Sequence, residues 1–296
     1  MTTTVPRALA VGVAGSDRHP SAPRRRRGRA SLVVRIVVAA IVTVVMVFPL
    51  YIMVITAFSG QRTFTADLTL WPQQISLANF TRVLDAWPVG SWFVNSVTIT
   101  AITTVLTVAV SVLAGYAFAK LSFPAKTPLF LLLVSTMMIP TQAILVPLFK
   151  IVNTMHLIGT FWAVIIPASA ATFGIFLARQ FMLAIPKELI EAAKIDGAGS
   201  LRIFWSIVLP LCKPLLAVLT LLALMYQWND FLWPLIALKD PVLYTLPIGL
   251  QFLQGQYQTD YGALMAMTLI SVAPLVALFL AFQRFFVQGL ATTGIR

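Results

Sequence analysis

An all-α membrane protein with six spanning helices is the fold class this sequence predicts. Three observations carry it. The chain of 296 residues is 59% hydrophobic and only 10% charged, with a mean hydropathy of +0.91, whereas soluble domains carry about 25% charged residues. Six apolar runs of roughly twenty residues each match a ~30 Å hydrocarbon core. The runs are continuous instead of alternating with period two, which indicates helices and not the strands of a barrel.

Residues 1–30, rich in Pro, Ser, Gly and Arg, predict a disordered basic tail. Arg24 to Arg27 and Arg29 read as a topology signal beside the first span, not as a nucleic-acid site. The first transmembrane helix is expected over 31–58. Its apolar run from Leu32 to Phe58 is too long for the core of a signal peptide, and no Ala-x-Ala-like site closes it, so it is expected to be retained. An outer segment covers 59–91. The main transmembrane domain is expected over 92–283, with spans near 92–119, 129–149, 160–183, 214–234 and 262–283, a loop at 186–210 and a tail at 284–296. Pro49, Pro140, Pro167 and Pro274 fall inside spans, where kinks are expected. Trp92, Trp162, Trp228 and Trp233 fall near span ends, as an aromatic belt requires.

With the N-terminus inside, only Arg62, Arg82, Lys150 and Lys239 fall outside, leaving seventeen of the 21 Lys and Arg on the cytoplasmic side. This bias predicts that both termini and the 186–210 loop are cytoplasmic. The second long outer segment, about 235–261, carries Tyr244, Tyr257, Tyr261 and several Gln. It reads either as a partner contact or as a cap on the bundle.

The single cysteine, Cys212, leaves no intrachain disulfide and no Cys-based metal cluster. His19 and His156 are far apart and lack companions. No G-x-x-x-x-G-K-[ST] phosphate loop occurs, so the chain is not expected to be an enzyme that hydrolyses ATP, nor to hold a cofactor or metal. The middles of the six spans lack Asp, Glu, Lys, Arg and His, the groups an ion-coupled carrier keeps near the midplane. Asp230, near the outer end of the fifth span, reads as a helix-packing group or, with Gln227 and Asn229, as lining a path. Energy is therefore expected to arrive from another protein.

Residues 186–210 form a polar island holding three of the nine acidic residues, Glu188, Glu191 and Asp196. Pro186 suits a first helical turn and Glu188 the positive end of its dipole. Glu191, Ala192 and Ala193 are good helix formers, and Gly197 suits a left-handed terminator. A helix of about eleven residues, near 16 Å long, is too short to span. Ser200 is expected to cap a second helix from about Leu201 to Leu209, broken by Pro210. Ala192 and Ala193 leave one side of the first helix slim enough to enter a groove on another protein. The alternative is an ordinary amphipathic interfacial loop.

Glu191-Ala192-Ala193, three residues, Gly197, nine residues, Ile207, one residue and Leu209-Pro210 resemble the cytoplasmic-loop signature of binding-protein-dependent ABC importer permeases. Arg179-Gln180-Phe181, Ile185-Pro186, Ile195-Asp196-Gly197-Ala198 and Trp228-Asn229-Asp230-Phe231-Leu232-Trp233-Pro234 are similar to the carbohydrate, MalG-type branch. The likeness runs from about Phe48-Pro49 to Gly289-Leu290. It implies a type I permease fold in the bacterial inner membrane, with a coupling helix seated in a cleft of an ATPase. Glu191, Ala192, Ala193, Asp196 and Gly197 would be the coupling residues, and Leu209 and Pro210 would shape the return into the membrane. The resemblance also implies a homologous second permease, two ABC ATPase subunits that hold the ATP and Mg, and an extracytoplasmic solute-binding lipoprotein. The substrate it implies is a carbohydrate, a di- or oligosaccharide. The ending, Gly289 to Arg296, follows the family's Gly-Leu-x-x-Gly-Ala-Val-Lys-Gly pattern only in part. Rival readings are uptake of glycerol phosphate or its diesters, an ion-coupled secondary carrier or channel, and a scaffold that moves no solute.

Overall fold

The computed structural model describes residues 26–60, 70–71, 74–254 and 259–293, with side chains between Ser31 and Ala281. The side chains of Arg24 to Arg27 and Arg29, most of the tail at 1–30, residues 61–69 and 72–73, Tyr257 and the last three residues lie outside it. The chain divides into two units, residues 1–50 and 51–296.

The helices, in chain order, are α1 (Arg26–Ala57), α2 (Ala78–Ala86), α3 (Val89–Lys120), α4 (Lys126–Ser135), α5 (Thr141–Thr154), α6 (Trp162–Ala168) and α7 (Thr172–Leu183). They continue with α8 (Lys187–Ile195), α9 (Ser200–Ile203), α10 (Leu209–Leu211), α11 (Lys213–Trp228), α12 (Leu232–Ala237), α13 (Leu246–Leu253) and α14 (Tyr261–Thr293). Short 3₁₀ turns cover Thr136–Met138 and Pro241–Leu243, and a π turn covers Phe204–Val208. Among the described residues there is no strand, only an isolated bridge between Ser59 and Ile75.

Four stretches are long and apolar enough to cross a membrane: Ser31–Ala57, Val89–Lys120, Trp162–Leu183, which joins α6 and α7 across a short break, and Tyr261–Ala281. The number reaches six if two bent pairs each count as one span. These are Lys126–Met138 with Thr141–Thr154, bent by 109°, and Ser200–Leu211 with Lys213–Trp228, bent by 80°.

The prolines differ in effect. Pro49 and Pro274 lie inside unbroken helices. Pro140 produces a full break: Ile139, held extended at φ −86°, ψ 120°, precedes it and α5 starts after it, as the steric restriction on a pre-proline residue demands. The expected fifth span stops at Trp228, short of 234. Pro234 has no N–H to donate, and its ring would clash with the Asp230 carbonyl four residues back, so no helix runs through 230–234. The last helix runs ten residues beyond the expected end at 283.

Packing is organised along α3, which touches three buried clusters in turn. Val89 and Trp92 join Val83, Trp228, Leu246 and Met267. Ile99 joins Ala163, Val164, Ile165 and Trp233. Val112 and Tyr116 join Ala178, Met182, Ile203, Phe204 and Val208. Between these contacts runs a buried polar stripe of Ser96, Thr100, Thr103, Thr104, Thr107 and Ser111, in which steps of three and four residues, with Thr103 and Thr104 side by side, keep the stripe on one face. Small residues let α7 approach this face closely. A Cβ at Gly174 would lie 2.3 Å from Ser111 Oγ, and one at Gly115 would lie 2.5 Å from Ala178 Cβ. Such small-residue seams are how spanning helices associate where lipid removes the hydrophobic drive. Thr107 adds a hydrogen bond to the Ala168 carbonyl at 3.2 Å.

The start of α3 is stitched to the segment between α11 and α14. Trp92 Nε1 donates to the Pro241 carbonyl at 2.8 Å, Asn95 Nδ2 donates to the carbonyls of Val242 and Tyr244, and Ser96 Oγ accepts from the Leu246 N–H at 2.8 Å. These bonds are the contacts that a cap on the bundle makes. Nearby, Asn79 is fully buried and donates to the carbonyls of Ala57 and Ser59. Arg82 bridges the Asn79 side-chain oxygen, at 3.0 Å, and Asp260, at 2.7 Å. Asp260 in turn accepts the Ala263 N–H at the start of α14.

Gly174→Leu is expected to wedge α3 from α7 and destabilise the purified protein by about 1–3 kcal/mol, the usual cost of overpacking. Gly90→Ala, which has open space around it, should leave the thermal midpoint unchanged or slightly higher. Thermal unfolding of the two variants side by side checks the seam.

Candidate functional site

The 186–210 loop is mounted on the end of the bundle by one face. In α8, Ile190 and Ala193, one turn apart, are buried with Val112, Tyr116, Ala178 and Met182. Glu188, Leu189, Glu191, Ala192, Lys194 and Asp196 are exposed, and Ile195 is 86% exposed. Apolar exposure continues next door, with Leu201 at 71% and Trp205 at 61%. Exposed apolar surface ringed by charge marks an interaction site more often than chance solvent contact. The two alanines do not form one slim side: Ala193 turns into the core, while Ala192 turns outward with Leu189 and Ile195.

The helix is nine residues long, about 14 Å by its rise, and not eleven. Pro186 occupies the position before the first turn, with φ −54° and ψ 136°, where its missing N–H costs nothing. Glu188 sits in the first turn and Lys194 in the last, both matched to the helix dipole. The end is a Schellman closure. Gly197 has φ +79°, its N–H pairs with the Lys194 carbonyl at 3.0 Å, and the Ala198 N–H pairs with the Ala193 carbonyl at 2.9 Å. Two hydrogen bonds from α3 fix the ends of this unit. Lys120 Nζ donates to the Ile185 carbonyl at 2.7 Å, and the Tyr116 hydroxyl donates to the Ser200 carbonyl at 3.0 Å.

The second short helix departs from expectation at both ends. Gly199 holds the cap position and makes no side-chain cap bond, while Ser200 is already the first helical residue. The helical path runs past Pro210 to Leu211. Pro210 offers no N–H to the Ser206 carbonyl and crowds it. The preceding turn widens to accommodate this: the Leu209 N–H pairs with the Phe204 carbonyl, five residues back, the pattern of a π bulge. Leu209 is half-buried and Pro210 exposed, and the chain turns into α11 at Cys212.

The second set of candidates stands at the other end of α11, about 24 Å away along its sixteen residues. They do not form one polar group. Gln227 is buried with its Oε1 unpartnered, Asn229 is exposed and bonds back to the Met225 carbonyl at 2.7 Å, and Asp230 is half-buried and accepts backbone N–H groups of Trp233 and Phe231. Between the two sets, α3, the π turn and α11 enclose a cleft of about 340 Å³. Its walls include Val105, Val112, Phe204, Trp205 and Leu216, with Thr104 and Thr220 the only hydroxyls. So apolar a cleft lacks the donors and acceptors that a polyhydroxyl solute requires. The α3 stripe and the Tyr116 and Lys120 anchors are absent from the sequence-based expectations. The stripe's signal is the three-and-four spacing of Ser and Thr, while the anchors leave none.

Comparison with known proteins places the chain among similar ones. A family profile described as "Binding-protein-dependent transport system inner membrane component" matches residues 108–292. The arabinooligosaccharides transport system permease protein AraQ of Halalkalibacterium halodurans is 37% identical over 261 residues, covering 87% of this chain and 94% of that protein. The sn-glycerol-3-phosphate transport system permease protein UgpE of Yersinia pestis is 33% identical over 252 residues, covering 82% of this chain and 90% of that protein. A chain in the crystal structure of a bacterial ABC transporter that imports the acidic polysaccharide alginate superposes with a TM-score of 0.80 at 22% identity. That superposition covers 90% of this chain and all of the other.

No atom lies within 4 Å of where a Cβ at Gly197 would stand, so a substitution there costs only backbone strain. Gly197→Val is expected to loosen the end of α8 by about 1–2 kcal/mol, speeding hydrogen exchange of its last-turn amides by roughly tenfold. Gly197→Asn, which tolerates the left-handed region, should change exchange by less than about threefold. Equal exchange in the two variants would refute the closure as the helix's terminator.

Proposed function

The chain belongs to the family of binding-protein-dependent transport system inner membrane components, and from that premise we propose that its 186–210 loop couples a separate ATPase to solute movement. As a family member it is a non-catalytic permease subunit of an ABC importer, a multi-pass membrane protein that works with another permease, ATPases and a solute-binding protein. It has the type I permease fold.

The observation that carries the reading is α8 itself: anchored inward by Ile190 and Ala193, and presenting Leu189, Glu191, Ala192 and Ile195 outward. That is an amphipathic helix offered to a groove. In this reading Glu191, Ala192 and Asp196 meet the ATPase. Ala193 sets the depth at which the helix sits, Gly197 ends it, and Leu209 and Pro210 turn the chain toward the membrane. ATP and Mg are held by two ATPase subunits. The second permease is homologous and completes the path, since the apolar cleft of this chain does not suit a sugar alone. Gln227, Asn229 and Asp230 stand near the outer end of that path. The binding protein is an extracytoplasmic lipoprotein. The excess of Lys and Arg supports cytoplasmic termini and a cytoplasmic loop. On this reading 31–58 is the first transmembrane helix, 59–91 is extracytoplasmic, 92–283 is the permease domain and 284–296 a cytoplasmic tail.

The solute proposed is a di- or oligosaccharide, supported by the likeness to the arabinooligosaccharide permease. The likeness to the glycerol-3-phosphate permease supports a second reading, glycerol phosphate or its diesters. Binding of candidate solutes to the cognate binding protein separates the two.

Uptake by the reconstituted complex is expected to require ATP and to persist when ion gradients are collapsed. Uptake that follows an ion gradient without ATP would overturn the reading in favour of a secondary carrier. Ile195→Asp alters a side chain outside the core, so the chain should still insert while the co-purified ATPase falls by about tenfold, the equivalent of ~1.4 kcal/mol. Gly197→Val should reduce uptake at normal expression; full uptake with either variant counts against coupling through α8.

A further inference from the structure

We propose that the corner where α3, α4 and α7 meet binds the phosphate headgroup of an anionic phospholipid in the cytoplasmic leaflet, an inference that rests on the orientation proposed above. The guanidinium carbon of Arg179 on α7 lies over the Phe130 ring, 4.0 Å from its centroid, and Nε donates to the Phe118 carbonyl at 3.3 Å. The guanidinium is thus held at two points, while its two Nη groups carry no protein partner among the described residues. Lys126 opens α4 one turn before Phe130. Its Nζ donates once, to the Leu121 carbonyl at 2.7 Å, and keeps two N–H groups free. Phe130, one turn along α4 from Lys126 and under Arg179, brings the two cations to one corner.

No carboxylate answers them. Among the described residues the only ion pair is Arg82 with Asp260. Two adjacent cations held by main-chain carbonyls and an aromatic face repel each other unless an anion joins them. A phosphate fits: the guanidinium fork matches its oxygens, and an ammonium adds a point charge. Basic pockets between spans on the cytoplasmic side take acidic lipid headgroups in this way. The surface that continues from the corner favours a lipid over a protein carboxylate. Leu129 and Leu132, which follow Lys126 along α4 at three-residue steps, are 47% and 65% exposed, an apolar strip along which an acyl chain can lie below the headgroup.

The test uses the assembled transporter with its ATPases, delipidated and offered mixed micelles containing phosphatidylglycerol or phosphatidylcholine, with bound lipid counted by native mass spectrometry. The wild type is expected to retain phosphatidylglycerol in preference. Arg179→Gln with Lys126→Gln should lower that retention by about tenfold, the loss of one or two charge-assisted bonds, without changing phosphatidylcholine. Arg179→Lys, which keeps the charge but not the fork, should fall between. Equal retention by wild type and double variant overturns the proposal. So does a double variant that sheds its ATPases yet keeps the lipid, because the corner would then serve a partner's carboxylate, and so does displacement of the lipid by the same concentration of inorganic phosphate. If the double variant fails to assemble, the wild type still decides: it should melt higher in phosphatidylglycerol than in phosphatidylcholine, by a margin that salt erodes, and no margin sinks the idea. Labelling of Ser122→Cys by a membrane-impermeant maleimide from the outer side would overturn the orientation separately, whatever lipid is retained.

Discussion

The close approach of α3 and α7 is the constraint on which the other elements depend. In lipid, helices gain nothing from hiding apolar surface against each other, so association rests on shape and on hydrogen bonds. Ser111 and Gly115 facing Gly174 and Ala178 supply the shape, and Thr107 adds a bond to Ala168 at the end of α6, just ahead of α7. Once the two helices are seated, Met182 and Ile185 arrive where Tyr116 and Lys120 can hold the 186–210 loop. The position of the loop is inherited from the seam.

This dependence explains how so short a helix keeps a defined place. An isolated helix of nine residues is marginal in water, and α8 has no side-chain cap at its start. Its order comes from two buried side chains, a Schellman end and two hydrogen bonds from α3. The buried side chains and the two hydrogen bonds link the loop to the long helices, while the Schellman end closes α8 on itself. The π turn and the bend at Cys212 lie on the other side of the loop, where the second short helix meets α11.

Much of this is legible in the sequence because the strongest signals are long or positional. The apolar runs mark the spans, and Glu188, Lys194 and Gly197 mark the start and end of α8 through dipole and φ requirements that act locally. The features that are not legible depend on neighbours distant in the chain. Pro140 stands at a full break whereas Pro49 and Pro274 lie inside continuous helices, a difference that the proline ring alone does not announce in the sequence. Ala192 and Ala193 look alike in sequence, and only the bundle surface beneath α8 decides that one is buried and the other is not. The π turn follows from Pro210, but a proline expected to stop a helix can instead be met by a helix that widens ahead of it.

The polar cluster of Asn79, Arg82 and Asp260 carries a consequence for how the chain is made. Asn79 and Arg82 are synthesised early, whereas their partner Asp260 lies 178 residues beyond Arg82. Until the final helix leaves the ribosome and inserts, the arginine lacks its counter-charge. Closure of that corner is therefore a late event in biogenesis, and it reports that the last span has arrived. A chain cut short before α14 would leave the Arg82 charge unpaired, a mark by which membrane quality control could tell an unfinished permease from a finished one.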